Sequence, residues 1–135
     1  MLEIPFVKHV GIEKDGELKL HVREELTNHI QTIHASAQFT LGETASGACL
    51  MEEFPQYKGE VIPMLRSSTV KYKSPATSTL RAKASLTKEA KEKFLRQFKR
   101  RGQGVIAVDV ELFDEDGCVT IEGEFIWFVQ DSKII

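Results

Sequence analysis

The chain reads as an α+β protein, an antiparallel sheet with one main helix, and three features of the sequence say so. Over residues 36–53, Ala37, Leu41, Ala45, Ala48 and Cys49 recur at three-to-four spacing, the period of a helix face. From residue 61 onward the period changes to two, with Leu80, Ala82, Ala84 and Leu86 on one side and Arg81, Lys83 and Ser85 on the other. Runs of strands around a single long helix, rather than regular alternation of the two, put that helix against one antiparallel sheet.

Each element follows in order. Residues 4–12 are a short apolar run and are expected to open the sheet. Residues 17–23 alternate Leu18, Leu20 and Val22 with Lys19, His21 and Arg23, a half-buried strand, and Asp15-Gly16 supplies the hairpin turn between the two. A polar loop through Asn28 leads to the helix, which Pro55 helps to stop. The run VIPMLRSSTVKYK is a third strand, turning at Ser74-Pro75-Ala76 into TLRAKASLT. Residues 88–101, KEAKEKFLRQFKRR, leave the strand rhythm for a basic amphipathic helix with Phe94, Leu95 and Phe98 on its apolar side, ended by Gly102 and Gly104. Residues 105–113 and 118–130, joined by Asp114-Glu115-Asp116-Gly117, form a closing hairpin. The main helix carries so much Ala, Gly, Ser and Thr that a curved sheet can wrap closely around it.

Length and composition narrow the function classes. The 135 residues suit one domain spanning 1–135, with an ordinary hydrophobic fraction of 41% and charged fraction of 28%. A net charge of −2 argues against a nucleic-acid partner, which calls for a strongly basic domain. Only Cys49 and Cys118 are present, too few for a disulfide framework, so a reduced compartment fits. The start MLEIPFVKHVGIEKDG lacks the pattern of a signal peptide, and no apolar run approaches the roughly 20 residues that span a bilayer. A cytoplasmic protein without stable membrane insertion is the expectation.

The stretch NHIQTIHASAQFTLGE, residues 28–43, concentrates the chemistry. It sets an amide, a histidine and then one carboxylate, Glu43, on a helix that is otherwise small and apolar. Burying a carboxylate is costly unless it is hydrogen-bonded or has a task. A metal pair at His29 and His34 lacks the further ligands that zinc needs, so no metal is expected. Cys49 has no base nearby in sequence to lower its pKa and reads as a packed residue.

The order of elements together with Asn28, His34, Ala35 and Glu43 resembles the hotdog-fold acyl-CoA thioesterases, in particular the phenylacetyl-CoA thioesterase-like branch. The likeness covers nearly the whole chain and extends to VKYKSPATSTLRAKASL, which looks like that family's strand, proline turn and strand. It implies hydrolysis of an acyl-CoA or related acyl thioester, with coenzyme A entering as part of the substrate and no cofactor. By the resemblance, the backbone N–H of Ala35 is the oxyanion donor, where the family usually has Gly. Glu43 is the general base or the nucleophile, and Asn28 and His34 position the reacting groups. Gly47, Ser67, Ser68, Thr69, Lys73 and Arg81 are the implied substrate-binding residues.

The resemblance also implies a pocket between subunits of a homodimer or dimer of dimers, with Glu43 of one chain facing the Asn28 and Ala35 region of its partner. Ala35 keeps the N–H that a Gly would offer but adds a methyl group where a substrate carbonyl must approach. A non-catalytic acyl-CoA or fatty-acyl binding module using the same pocket is therefore the alternative. The related enzymes have a much shorter connection where this chain carries residues 88–101. That segment is a solvated helix face, an attractor for coenzyme A phosphates or a membrane-surface contact.

Overall fold

The computed structural model describes residues 1–133. The main helix, α2 (Ala35–Glu53), lies against a six-stranded antiparallel sheet made of β1 (Glu13–Asp15), β2 (Glu17–Leu20), β3 (Val61–Tyr72), β4 (Leu80–Ser85), β5 (Gln103–Phe113) and β6 (Val119–Asp131). The spatial order is β1-β2-β4-β5-β6-β3, so the strand that directly follows α2 crosses to the far edge of the sheet. β5 and β6 pair along nearly their full length, as the closing hairpin requires.

The first element departs from expectation. Residues 4–12 were expected as a strand, whereas Pro5–Val10 is a helix, α1. Its buried residues Val7 and Val10 are three apart, a helical spacing. Pro5 occupies the first turn, where its missing N–H costs nothing, and Gly11 closes the helix with φ 89. The strand expected over residues 17–23 ends at Leu20, after which Val22 is exposed.

Close approach between helix and sheet comes from the small residues of α2. A Cβ at Gly42 would lie 3.1 Å from the Phe125 ring, so the glycine lets β6 ride directly on the helix. Ser46 is fully buried and accepts the Trp127 indole N–H at 2.8 Å, which ties the middle of α2 to β6. Leu41, Leu50, Ile106, Val108, Leu112, Ile121 and Phe125 fill the layer between them. That layer carries the stabilisation, since each fully buried large side chain contributes about 1.5–3 kcal/mol relative to exposure.

Helix α3 (Lys88–Arg101) has the bounds that the sequence predicts, begun by the Thr87 side chain accepting the Ala90 N–H and ended by Gly102 in the left-handed region. Phe94 stacks on Phe54 at 5.0 Å and Phe98 on Tyr57 at 4.5 Å, which seats α3 beside the C-terminal end of α2. Among the described residues, no helix is long and apolar enough to cross a membrane.

Candidate active site

The loop before α2 is a small, tightly braced structure. Asn28 Oδ1 accepts the N–H groups of Ile30 and Thr32, both at 3.0 Å, and its Nδ2 donates to the Thr32 hydroxyl at 2.7 Å. Gln31 sits at φ 60, a left-handed conformation that a non-glycine residue adopts only when its surroundings fix it. The N–H of Ile33 donates to the Ala76 carbonyl and that of His34 to the Leu26 carbonyl, pinning the loop to its neighbours. Asn28 is thus occupied within its own loop, and its side chain sets the entry to α2.

His34 is the N-cap of α2, and its Nδ1 accepts the Ser36 N–H at 2.9 Å. An accepting Nδ1 carries no proton, so the neutral ring holds its proton on Nε2, on an exposed side chain. The N–H groups of Ala37 and Gln38 both donate to the His34 carbonyl. Of the first-turn N–H groups, that of Ala35 alone has no acceptor among the described residues. It also stands at the positive end of a 19-residue helix. The hydroxyl of Tyr72, at the end of β3, donates to the Ala35 carbonyl oxygen at 3.5 Å and ties the strand end to this corner. Sequence reasoning missed Tyr72, because only the fold brings the end of an edge strand back to the start of the helix.

Glu43 lies two turns further along, half-buried; its carbonyl accepts the Ser46 hydroxyl, but its carboxylate has no hydrogen-bond or ion-pair partner among the described residues. Desolvation raises its carboxyl above the usual value. It faces an open cavity of about 1080 Å3 whose walls include Thr40, Leu65, Ala82 and Trp127, together with Phe6 and Val7 of α1. Gly47, one turn beyond Glu43, is buried beside this space: a Cβ there would run into the Met1 and Trp127 side chains, both of which line the cavity. Burial, helped by Glu53 and Glu52, pushes the Cys49 thiol up to about 11, so this cavity-lining cysteine is protonated at neutral pH and a poor nucleophile.

The remaining residues singled out from sequence fall into other places. Ser67, Ser68 and Thr69 are exposed on β3, just after a bulge at Arg66 that stacks the guanidinium on the Phe128 ring at 5.0 Å. Thr69 borders a separate hollow on the outer face of the sheet with Lys71, Lys83 and Glu122. Lys73 pairs with Glu122 at 3.1 Å on that same face. Arg81 alternates with the buried Leu80 and Ala82 and so points outward as well. One chain therefore brings Asn28, His34 and Ala35 together at one place and Glu43 and Gly47 at another. Among the described residues no group of three or more His, Cys, Asp or Glu could hold a metal ion.

A curved six-stranded antiparallel sheet wrapped on one long helix is the hotdog fold, and solved structures share it. A Pseudomonas aeruginosa protein of unknown function described as a probable thioesterase is 23% identical, with a TM-score of 0.77 over 96% of this chain and 89% of that one. A Bacillus halodurans protein solved with CoA is 22% identical, with a TM-score of 0.72 over 92% of this chain and 74% of that one. A Staphylococcus aureus thioesterase enzyme, solved with a glutamine-to-alanine substitution, is 14% identical, with a TM-score of 0.70 over 93% and 98%. The same S. aureus protein has also been solved with a glutamate-to-alanine substitution. A family model described as a domain of unknown function, DUF4442, matches residues 4–129, and the chain belongs to that family. No curated protein matches.

Proposed function

We propose that the protein hydrolyses acyl thioesters, with acyl-CoA as the substrate class, at a site completed by two copies of the chain. The observation that carries this reading is the pairing of an unpartnered, desolvated carboxylate with an unpartnered N–H at the positive end of the same helix. Thioester hydrolysis needs both. Negative charge develops on the carbonyl oxygen as the nucleophile attacks, and a preorganised backbone donor stabilises it. A carboxylate whose pKa is raised is a stronger base for activating water; Glu43 can equally attack the thioester carbon directly, breaking the C–S bond and expelling the thiol to give an anhydride that water then hydrolyses.

Within one chain the two groups cannot share a carbonyl. Eight residues of helix separate Ala35 from Glu43, about 12 Å at 1.5 Å per residue. A second copy solves this by placing its own Ala35 corner against Glu43. Edge strand β3 offers the means, since one side of its 12 residues pairs with β6 and the other is unpaired among the described residues, with Ile62, Met64 and Tyr72 exposed along it. In this arrangement the Asn28 loop holds the donor rigid and His34 Nε2–H faces the site as a further donor. Gly47 leaves room for the Met1 and Trp127 side chains that form the cavity wall against the acyl chain, and Ser67 and Ser68 lie along the joined edge. Thr69, Lys73 and Arg81 are left to contact the coenzyme A portion over the sheet's outer face.

Two likenesses support the reading. CoA is bound in the B. halodurans structure, and the S. aureus substitutions hit a glutamine and a later glutamate at the same separation along the chain as Asn28 and Glu43 here. The test is release of free CoA from short, medium, long and aromatic acyl-CoAs by the wild type and by Glu43→Gln. Wild-type turnover that falls by about 10^2–10^4 in the variant is expected for loss of a general base. Tight acyl-CoA binding without hydrolysis by the wild type would instead establish the non-catalytic binding module.

A further inference from the structure

We propose that the outward face of α3 docks an acidic protein surface, that of a carrier protein presenting the acyl thioester on its prosthetic arm. This inference rests on the thioester reading for its substrate, but the docking face stands on separate observations. Residues 88–101 hold seven cations against two glutamates in a chain whose net charge is −2, so positive charge is segregated into one helix. Among the described residues, Lys91 alone of these has an acidic partner, Glu53 at 2.8 Å. Lys88, Lys93, Arg96, Lys99, Arg100 and Arg101 are all exposed and form no ion pair among the described residues. Lys99, Arg100 and Arg101 complement the negative end of the helix dipole; Lys88, Lys93 and Arg96 lie outside its last turn, and although each stands four residues from Glu89 or Glu92, none forms an ion pair with them.

The shape of the patch selects its occupant. Cations run the length of the helix, about 20 Å at 1.5 Å per residue, roughly twice the Debye length at 0.1 M salt. The phosphates of one nucleotide span a shorter distance and engage a local cluster, whereas an acidic helix meets a stripe of this length along its whole face. Insertion into lipid requires a free apolar face, and that of α3 is consumed by the contacts of Phe94 and Phe98 with Phe54 and Tyr57. Position fits too. Glu53 and Tyr57, which α3 touches, adjoin Glu52 and Lys58, which line the end of the Glu43 cavity. A carrier seated on α3 would present its arm at that end.

The test compares K93E/R96E, and the neutral K93Q/R96Q, with the wild type on one acyl group delivered two ways: as its CoA ester and on the phosphopantetheine of an acidic acyl carrier protein. Carrier binding is also titrated directly by fluorescence anisotropy at 50 and 300 mM salt, and circular dichroism checks that α3 is retained. The expected result is loss of carrier affinity and of kcat/KM on the carrier-linked substrate by about tenfold or more in K93E/R96E, less in K93Q/R96Q. The CoA ester should change less than twofold, and wild-type carrier binding should weaken steeply with salt. Equal losses on both substrates would assign the patch to coenzyme A phosphates and overturn the proposal. So would unchanged kinetics on both, or α3-dependent binding to phosphatidylglycerol vesicles without carrier binding. If neither thioester is hydrolysed, the catalytic reading fails, while α3-dependent, salt-sensitive carrier binding would still uphold the docking face.

Discussion

The start of α2 and its middle are built on opposite principles. At the start, almost every polar group has a partner: Asn28 makes three hydrogen bonds, His34 caps the helix, and the N–H groups of Ile33, His34, Ser36, Ala37 and Gln38 are all engaged. One N–H, that of Ala35, is left over. Two turns on, Glu43 stands without a partner among residues that are small or apolar, and burial raises its pKa. The loop spends its polar groups on bracing itself and leaves a single N–H free, while the isolation of the carboxylate raises its pKa. A surface ion pair at Glu43 would have lowered its pKa and its value as a base.

The left-over donor can be removed alone. Ala35→Pro deletes that N–H at the first helical position, where proline is favoured, and His34 at φ −60 and ψ 141 already has the backbone that precedes proline comfortably. Loss of one oxyanion donor should lower kcat by about 10^2–10^3 with the melting temperature almost unchanged. Full activity in Ala35→Pro would show that the donor lies elsewhere.

Asn28 sharpens the same point with a smaller effect. Asn28→Ala strips the acceptor from Ile30 and Thr32 and should cost about 1 kcal/mol together with activity. Asn28→Asp keeps both N–H contacts and can accept from the Thr32 hydroxyl, so its stability should stay near wild type. Its added negative charge beside the developing oxyanion should still reduce kcat about tenfold or more. Wild-type turnover by Asn28→Asp would confine Asn28 to bracing the loop.

The smallest effect concerns stability at Glu43. Because its folded pKa lies above the ordinary carboxylate value, the folded protein binds more protons than the unfolded chain between those two values. Stability therefore falls as pH rises through that window, and the deficit persists above it. Glu43→Gln should remove this slope and raise the melting temperature at pH 7 by on the order of a few degrees, the usual trade between a functional group and stability. A Glu43→Gln protein less stable than wild type at neutral pH would mean that the carboxylate has a favourable partner.

Much of the fold was legible because period and turn chemistry agreed. The three-to-four repeat of Ala37, Leu41 and Ala45 marked α2, the alternation of Leu80, Ala82 and Ala84 marked β4, and Asp15-Gly16 and Asp116-Gly117 marked turns. Residues 4–12 were not legible as a helix, since a short apolar run fits either period until Val7 and Val10 are seen buried on one side. The spacing of Asn28, His34, Ala35 and Glu43 could be read along the chain, but which of their polar groups stay free could not. That depends on which lone pairs the loop consumes and on Tyr72 returning to Ala35 from a strand end 37 residues away. Strand parity alone placed Arg81 outward. The bulge between Leu65 and Ser67, invisible in the sequence, decides how the serines and Thr69 are displayed on β3.

If Glu43 of one copy acts with the Ala35 N–H of another, two chains that each lack one of these groups should complement each other. Glu43→Gln and Ala35→Pro chains, each inactive alone, are mixed in equal amounts, unfolded and refolded together, and assayed for release of free CoA. In a two-fold dimer with shared sites, half of the random assemblies are mixed, and each has one intact site beside one doubly defective one. Recovery of about a quarter of wild-type activity is the predicted result. A mixture as inactive as its components would contradict the claim.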